Sequence, residues 1–287
     1  YFSSCSDDAD GDSPAEKTKD KDSDKNDEEK GGNDSITLSK NGGTAESKAT
    51  IAEALAAIPP TGSDSYVITL KAGKYEEGGL TYKGTNSVKI RGSGSEEFGK
   101  DVVIYGQGTD MSNESTRSTL SFQGACNVVL ENITVQNSYG TTTGTAQAEA
   151  LGISNTAFSG TLAAYNCSFL SGQDTICTEG KAWFYKCYIE GDVDFIWMES
   201  RSGVVALYED CTIKAIGSRK KTAYFTAPRL AVSNTVGKGV VIWNSKLIAD
   251  EALSKVYLGR NPWDSETDTA KNTNYFNNYY ENVAFVG

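Results

Sequence analysis

A short strand-like segment recurs six times in the second half of the chain, and this repeat constrains the fold more than any other feature. The copies read LENITV, AYNCSF, FYKCYI, YEDCTI, WNSKLI and YENVAF, and they share a small or apolar position at Ile133, Cys167, Cys187, Cys211, Ser245 and Val283. Successive shared positions are 34, 20, 24, 34 and 38 residues apart. A strand that repeats about every 20–24 residues, with insertions, is typical of a β-solenoid. The sequence therefore predicts an all-β chain wound as a parallel β-helix.

The first 34 residues differ from the rest in composition. They hold 12 acidic residues and five lysines, so they carry most of the net charge of −11. Such a segment cannot bury enough apolar surface to offset its ordering entropy. We therefore expect a disordered acidic tether over residues 1–34 and one folded domain over residues 35–287. The folded part has no basic stripe, which argues against a nucleic-acid partner.

The N-terminal sequence YFSSC, followed at once by the acidic tether, resembles the mature start of a bacterial lipoprotein. In that interpretation Cys5 carries the lipid, and the protein is a monomer that lies outside the cell or on the bacterial surface as an outer-membrane lipoprotein. The alternative is a stray cysteine in a flexible linker. The sequence has no run of about 18 apolar residues, so a lipid would be its contact with the membrane.

The chain contains no histidine. This excludes a Ser-His-Asp or Cys-His mechanism and any histidine-ligated metal. Hydrolytic chemistry would have to use carboxylates, Lys, Tyr, Arg or a bound ion. We predict neither a cofactor nor a metal ion.

Three cysteines occupy the shared position of the repeat. Cys167, Cys187 and Cys211 occupy one phase of successive coils, so they should stack inside the helix as a ladder of small buried residues. This is favoured over a redox or metal site. Neighbouring strands lie about 4.8 Å apart, which allows a Cys167–Cys187 disulfide in an oxidising compartment without requiring one. Cys126 and Cys177 are expected to be unpaired.

Two aspartates occupy equivalent places in consecutive repeats. Asp174 follows Cys167 by seven residues, and Asp194 follows Cys187 by seven. Equal offsets should place the two carboxyl groups side by side on one surface, about 5 Å apart at the backbone. Such carboxylates repel, so one should hold its proton while the other stays ionised, as an acid and a nucleophile require. The alternative, two solvated turn aspartates, is disfavoured by the apolar neighbours in SGQDTI and GDVDFIW.

Four motifs around these residues resemble those of the pectin methylesterase family. SGQDTI (171–176), GDVDFIWM (191–198) and LGRNPW (258–263) are similar to the family's G-Y-Q-D-T-L, G-T-V-D-F-I-F-G and L-G-R-P-W. QAEAL (147–151) is similar to its Gln-Ala-x-Ala-Leu element, and ITLSKNGG, TIAEALAAIPP and KAGKYEEG resemble its first strand, N-terminal helix and next strand. The resemblance runs from about Ile36 to the C-terminus. It implies a single-stranded, right-handed, pectin-lyase-like β-helix with a short N-terminal capping helix.

The resemblance also implies roles for particular residues. Asp194 would be the nucleophile that attacks the methyl-ester carbonyl. Asp174 would protonate the departing methanol and then activate water. Gln147 and Gln173 would donate hydrogen bonds to the oxyanion, and Arg260 would pair with Asp194 and keep it ionised.

Two tryptophans flank these residues. The resemblance implies that Trp197 and Trp263 pack on sugar rings of methylated pectin, the expected partner; ordinary packing is the alternative. The sequence also departs from the family pattern at four positions in or beside the motifs, namely Gly172, Asp192, Met198 and Asn261. These departures mark a divergent member and bear on substrate affinity and pH optimum more than on the reaction.

Other functions remain open from the sequence alone. A pectate lyase would use the same fold with a cluster of acids around Ca²⁺, to which Asp192 could contribute. A polygalacturonase would use an aspartate pair with histidine, which this chain lacks. A non-catalytic, carbohydrate-binding surface lipoprotein is the third alternative, and the intact QDT, DFI and GR elements argue against it.

Overall fold

The computed structural model describes residues 34–142, 147–153, 158–199, 205–217, 220–231, 239–260, 274–275 and 278–287. Within them the chain forms the parallel β-helix that the repeat predicts. Cys5 and the other residues of the predicted tether up to residue 33, as well as Asn261 and Trp263, lie outside the described residues.

The strands follow one another in short segments along the chain. In order they are β1 (Ile36–Lys40), β2 (Glu46–Lys48), β3 (Ser65–Leu70), β4 (Gly73–Tyr75), β5 (Leu80–Lys83), β6 (Ser87–Gly92), β7 (Val102–Gly106), β8 (Leu120–Gln123), β9 (Asn127–Glu131), β10 (Thr134–Asn137), β11 (Leu151–Ile153), β12 (Thr161–Tyr165), β13 (Ser168–Leu170), β14 (Ile176–Thr178), β15 (Lys181–Tyr185), β16 (Tyr188–Gly191), β17 (Ile196–Glu199), β18 (Val205–Glu209), β19 (Thr212–Ala215), β20 (Thr222–Ala231), β21 (Gly239–Trp243), β22 (Lys246–Ala249), β23 (Lys255–Gly259), β24 (Asn274–Tyr275), β25 (Asn278–Glu281) and β26 (Ala284–Val286). The helical elements are α1 (Ile51–Ala56), α2 (Ser138–Thr142) and a 3-10 turn at Glu97–Gly99.

The strands of the described residues form three long sheets. Face A has the order β2-β1-β3-β6-β9-β12-β15-β18-β21-β25, face B is β4-β7-β10-β13-β16-β19-β22-β26, and face C is β5-β8-β11-β14-β17-β20-β23. From β3 to β23, each coil therefore gives one strand to face A, one to face B and one to face C, and β25 and β26 extend faces A and B by one more strand each. Pairing along the faces is parallel, except that β1 pairs antiparallel with β2 and β3, and β24 with β20.

The six copies of the repeat lie at one phase of six coils, as predicted. The residues just after the shared positions pair in one row, which runs Thr134, Ser168, Tyr188, Thr212, Lys246 and Ala284. The residue just before each shared position has a positive φ between 50° and 54°, at Asn132, Asn166, Lys186, Asp210, Asn244 and Asn282. Asn and Asp tolerate this left-handed conformation better than most residues do, so they recur where the chain turns from face A to face B.

The core fills the space between the three faces. Cys167, Cys187 and Cys211 lie inside it as the predicted ladder, and all three are free thiols, so the disulfide that the spacing allowed is not formed. The aromatic rings of Phe184 and Tyr208 stack in the same interior, with centroids 4.6 Å apart.

The short helix α1 supplies the N-terminal cap that the resemblance implied. Its buried side chains Ile51, Ala54 and Leu55 join the hydrophobic core. The Thr50 hydroxyl accepts a hydrogen bond from the Glu53 amide, which satisfies a backbone N–H group at the start of the helix.

Candidate active site

The two aspartates lie opposite each other in adjacent coils. Each sits in the turn that leads from face B to face C, just before β14 or β17. Ile176 pairs with Ile196 in the parallel ladder, so Asp174 and Asp194, two residues earlier, share the same register. The Asp174 amide donates to the Val193 carbonyl at 3.0 Å, which carries the ladder through the turn. The prediction drawn from equal offsets is confirmed at the level of register.

Both aspartates are buried and have left-handed backbone conformations. Asp174 is 3% exposed with φ 61°, and Asp194 is 7% exposed with φ 53°. Solvated turn aspartates would be far more exposed, so that alternative is wrong. Conformations of this kind cost free energy and cluster at functional sites.

The protonation of Asp174 follows from its surroundings. Burial raises the pKa of this carboxyl well above its usual range, and the negative charges of Glu149 and Asp194 raise it further. Arg117 and a hydrogen bond from the Gln147 side chain act in the opposite direction without cancelling the shift. Asp174 is therefore the member of the pair that is suited to hold a proton.

Arg260 is bound to the other aspartate. Its Nε donates to Asp194 Oδ1 at 2.6 Å, and its Nη2 donates to Asp194 Oδ2, so both carboxylate oxygens are engaged. The guanidinium also lies over the Tyr224 ring, 5.0 Å from its centroid, and Tyr224 stacks on Tyr257 at 5.0 Å. A bidentate guanidinium held against an aromatic ring stabilises the ionised form of its carboxylate.

The two glutamines lie on neighbouring coils beside the aspartates. Gln147 and Gln173 form a parallel bridge, which extends the ladder by one coil. Gln147 is exposed and Gln173 is partly exposed, so both side chains can reach a ligand. Four of the five residues with expected catalytic roles, the two aspartates and the two glutamines, thus lie in three successive coils, and Arg260 joins them from the end of β23.

Sequence reasoning missed two charged residues at this site. Arg117, from the loop before β8, and Glu149, just before β11, are 5% and 1% exposed. Arg117 donates to Glu149, to Gln147 Oε1 at 2.8 Å and to Asp174 Oδ2 at 3.3 Å. Glu149 gave a signal, because an acid stands between two alanines in QAEAL. Arg117 gave none, because its segment shows no repeat and no motif.

The tryptophan and the departures from the family pattern differ in their exposure. Trp197 on β17 is partly exposed, and its indole N–H has no hydrogen-bond partner among the described residues. Asp192 and Met198, which depart from the family pattern, are completely buried, so neither forms part of the surface beside the two aspartates. Met198 points into the core, and Asp192 accepts a hydrogen bond from the Val193 amide. Gly172 is buried in the turn before Asp174.

The described residues contain no group of three or more Asp, Glu or Cys side chains arranged to hold a metal ion. In the same part of the chain, no helix has the length and apolar character needed to cross a membrane.

Comparison with known proteins places this geometry in context. The chain is 32% identical over 225 residues to a probable pectinesterase/pectinesterase inhibitor of Arabidopsis thaliana. The aligned region covers 75% of this chain and 40% of that protein. The chain is 29% identical over 230 residues to a pectinesterase of Daucus carota, with 77% and 67% covered. The chain thus spans about two fifths of the length of the Arabidopsis relative. The structure superposes on the pectin methylesterase of Aspergillus niger with a TM-score of 0.63 and 25% identity, covering 83% of this chain and 82% of that one.

Fold and site together define a parallel β-helix protein whose candidate active site is built on a pair of carboxyl groups. The family model described as Pectinesterase matches residues 35–283. The chain belongs to the pectinesterase family.

Proposed function

We propose that this protein hydrolyses the methyl esters of pectin (homogalacturonan) to pectate and methanol. The observation that carries the proposal is the in-register pair of buried aspartates, of which Asp174 is suited to hold a proton and Asp194 is bound to Arg260. An acid and an anionic nucleophile side by side are what ester cleavage without histidine requires. Family membership supports the methyl ester as the substrate.

The proposed reaction has two halves. In the first, an Asp194 carboxylate oxygen attacks the ester carbonyl carbon, and Gln147 and Gln173 donate hydrogen bonds to the resulting oxyanion. The carbonyl re-forms, the bond to the methoxy oxygen breaks, and Asp174 gives that oxygen its proton, so methanol leaves and an anhydride joins Asp194 to the sugar acid. In the second half, Asp174 takes a proton from water, the resulting hydroxide attacks the anhydride, and both aspartates return to their starting states.

The direct test is methanol release from methylated pectin by the full chain and by Asp194→Asn. We expect Asp194→Asn to lose at least about a thousandfold in kcat, as removal of covalent nucleophiles does. Asp210→Asn is the matched control, because Asp210 has the same left-handed backbone, with φ 52°, but is exposed on the turn between faces A and B. Near-normal turnover by Asp194→Asn would remove Asp194 from the nucleophile role.

The same assay separates the alternatives. An unsaturated product that absorbs ultraviolet light would indicate a lyase, new reducing ends without methanol would indicate a polygalacturonase, and binding without turnover would indicate a non-catalytic protein. The family match favours the esterase over all three.

The location of the protein is part of the proposal. A cell-wall polysaccharide lies outside the cell, so we place the enzyme there as a monomer, with residues 1–34 as the tether, 35–287 as the catalytic domain and Cys5 as the lipid-bearing residue. Trp197 and Trp263 are proposed to contact the sugar rings. Labelling with a fatty acid in bacteria that express the gene tests the anchor: wild type should be labelled and Cys5→Ser should not.

A further inference from the structure

Arg117 lies at the centre of a buried charge network that takes no direct part in the proposed reaction. Its Nε lies 2.9 and 2.8 Å from the two carboxylate oxygens of Glu149, and its Nη2 donates to Glu149 Oε1 at 2.6 Å. The same Nη2 reaches Asp174 Oδ2 only at 3.3 Å. The remaining nitrogen, Nη1, donates to Gln147 Oε1 at 2.8 Å.

We propose that Arg117 and Glu149 are a positioning pair for the proposed esterase reaction: Glu149 keeps Asp174 protonated, and Arg117 turns the Gln147 amide so that its NH₂ group faces the substrate. The catalytic consequences of this pair rest on the proposed function. The effect of Glu149 on the Asp174 proton can be measured without pectin, and the effect of Arg117 on Gln147 can be measured with a separate variant.

The first part concerns the proton on Asp174. A single guanidinium serves two buried carboxyl groups, and its short, multiple bonds go to Glu149. Glu149 is therefore the carboxylate that the arginine neutralises, whereas Asp174 is left with one longer contact and a negative neighbour. Burial raises the pKa of both carboxyls, and the hydrogen bonds and charge of Arg117 oppose that rise at Glu149. The pKa of Asp174 stays well above its usual range, because Glu149 adds to the effect of burial there.

Other charged groups also face this network. Asp194 repels Asp174 from the next coil, but its own carboxylate is bound by Arg260. Asp192 lies in the same turn as Asp194, and Glu114 acts on Arg117 and Glu149 from the exposed loop before β8. Of the carboxylates that act on Asp174, Glu149 makes the largest contribution to its raised pKa.

The second part concerns the amide of Gln147. A guanidinium has only donors, so the atom that accepts from Arg117 Nη1 must be the amide oxygen. The NH₂ group of Gln147 then lies on the side of Asp174, to which the Gln147 side chain donates a hydrogen bond. An amide NH₂ group has two donors, so the second N–H can donate to an oxyanion. Asn137 holds the backbone of Arg117 and of Glu149, because its Nδ2 donates to the carbonyl of Arg117 at 3.1 Å and to that of Glu149 at 2.8 Å.

The decisive experiment is a pH titration of Asp174 by NMR in protein labelled with ¹³C at the aspartate carboxyl carbons. The Asp174 signal is identified by its loss in Asp174→Asn. We expect a midpoint well above the ordinary range in wild type and a midpoint lower by about one pH unit or more in Glu149→Gln, because a negative neighbour is removed and Arg117 is released toward Asp174. Glu114→Gln, which removes a charge from the exposed surface of the neighbouring loop, is the control and should leave the midpoint nearly unchanged.

The activity profile provides a second, independent readout. Since Asp174 must carry a proton to release methanol, kcat should fall as pH rises through its pKa, and this limb should move to lower pH in Glu149→Gln. Arg117→Lys keeps the charge but loses the donor to Gln147, so kcat should fall by about tenfold to a hundredfold with KM little changed. A purely structural role would lower stability without moving the limb.

The outcomes separate this proposal from the proposed function. If the Asp174 midpoint moves in Glu149→Gln but no methanol is ever released, the effect of Glu149 on the Asp174 proton is established and the esterase assignment fails. If methanol is released but the midpoint and the limb stay fixed, the pair has no such role. If Glu149→Gln does not fold, wild type and Glu149→Asp provide the test. An Asp174 midpoint in the ordinary carboxyl range in wild type would overturn the proposal. So would a lower midpoint in Glu149→Asp, which keeps the negative charge.

Discussion

Arg260 and Asp194 are joined by two parallel charge-assisted hydrogen bonds, Nε to Oδ1 and Nη2 to Oδ2, although 66 residues separate them in the chain. Asp194 is buried, and Arg260 is about one-third exposed at its side chain. The role proposed for Asp194 requires a carboxylate that stays ionised and keeps one orientation. The planar, two-pronged guanidinium of Arg260 favours both conditions.

Arg260→Lys keeps the positive charge but loses one of the two bonds and the planar contact with Tyr224. We expect a loss of about 1.5–3 kcal/mol of transition-state stabilisation, which is roughly a tenfold to hundredfold decrease in kcat/KM. Steady-state methanol release measures it. Arg91→Lys, an exposed arginine on face A, is the matched control and should be neutral. Equal activity of Arg260→Lys and wild type would show that the bidentate geometry is unimportant.

Asp174 should make the folded protein less stable as pH rises. A carboxyl group whose pKa is raised by folding binds its proton more tightly in the folded state. The free energy of unfolding therefore decreases from about pH 4, its ordinary range, up to the raised pKa, by about 1.4 kcal/mol per unit of pKa shift. Asp174→Asn, which cannot ionise, should be inactive, yet more stable than wild type at neutral pH and similar near pH 4. Thermal unfolding across pH, with Asp210→Asn as the control, tests this; a wild-type curve parallel to that of Asp174→Asn would contradict it.

Lys186 occupies a position that suits asparagine. It has φ 53° at the turn where four other copies of the repeat have Asn, and a lysine gains nothing from the left-handed conformation. Its side chain is exposed, and its ion pair with Asp210 is 4.0 Å long. We expect Lys186→Asn to increase the free energy of unfolding by about 0.5–1 kcal/mol. The reverse change at the same repeat position, Asn166→Lys, should decrease it, because Asn166 Oδ1 accepts from the Phe98 amide at 2.7 Å. Chemical denaturation measures both.

The cysteine ladder should be unreactive in the folded protein. Cys167, Cys187 and Cys211 are buried free thiols, and burial raises the pKa of the Cys187 thiol well above its usual value. Because the thiolate is the reactive form, a thiol reagent should label these residues only after unfolding. Mass spectrometry of alkylated protein without reductant should find all three labelled in denaturant. A Cys167–Cys187 disulfide in protein purified under oxidising conditions would contradict the structure.

The repeat was enough to predict most of the fold. Six copies of one strand pattern predicted the coils, and the shared position predicted the cysteine ladder, because each turn of a β-helix places the same phase of the chain on the same face. The same logic paired Asp174 with Asp194 from their equal offsets. The repeat could not predict how deeply the two aspartates are buried, because an equal offset from the shared cysteines does not reveal which loops cover a turn.

The charges around the aspartates were decided by the tertiary structure. Arg117 lies 57 residues before Asp174 and reaches it from the loop before β8, and such loops vary in length and follow no period. The QAEAL motif marked Glu149 as an unusual acid near the site, but nothing in the sequence identified Arg117 as its partner. Thus the sequence by itself determined the solenoid and the register of the two aspartates, because local hydrophobic periodicity encodes them. Only the packing of non-repeating loops decided which charges face Asp174, because the distances between side chains on different coils exist only once the chain is wound.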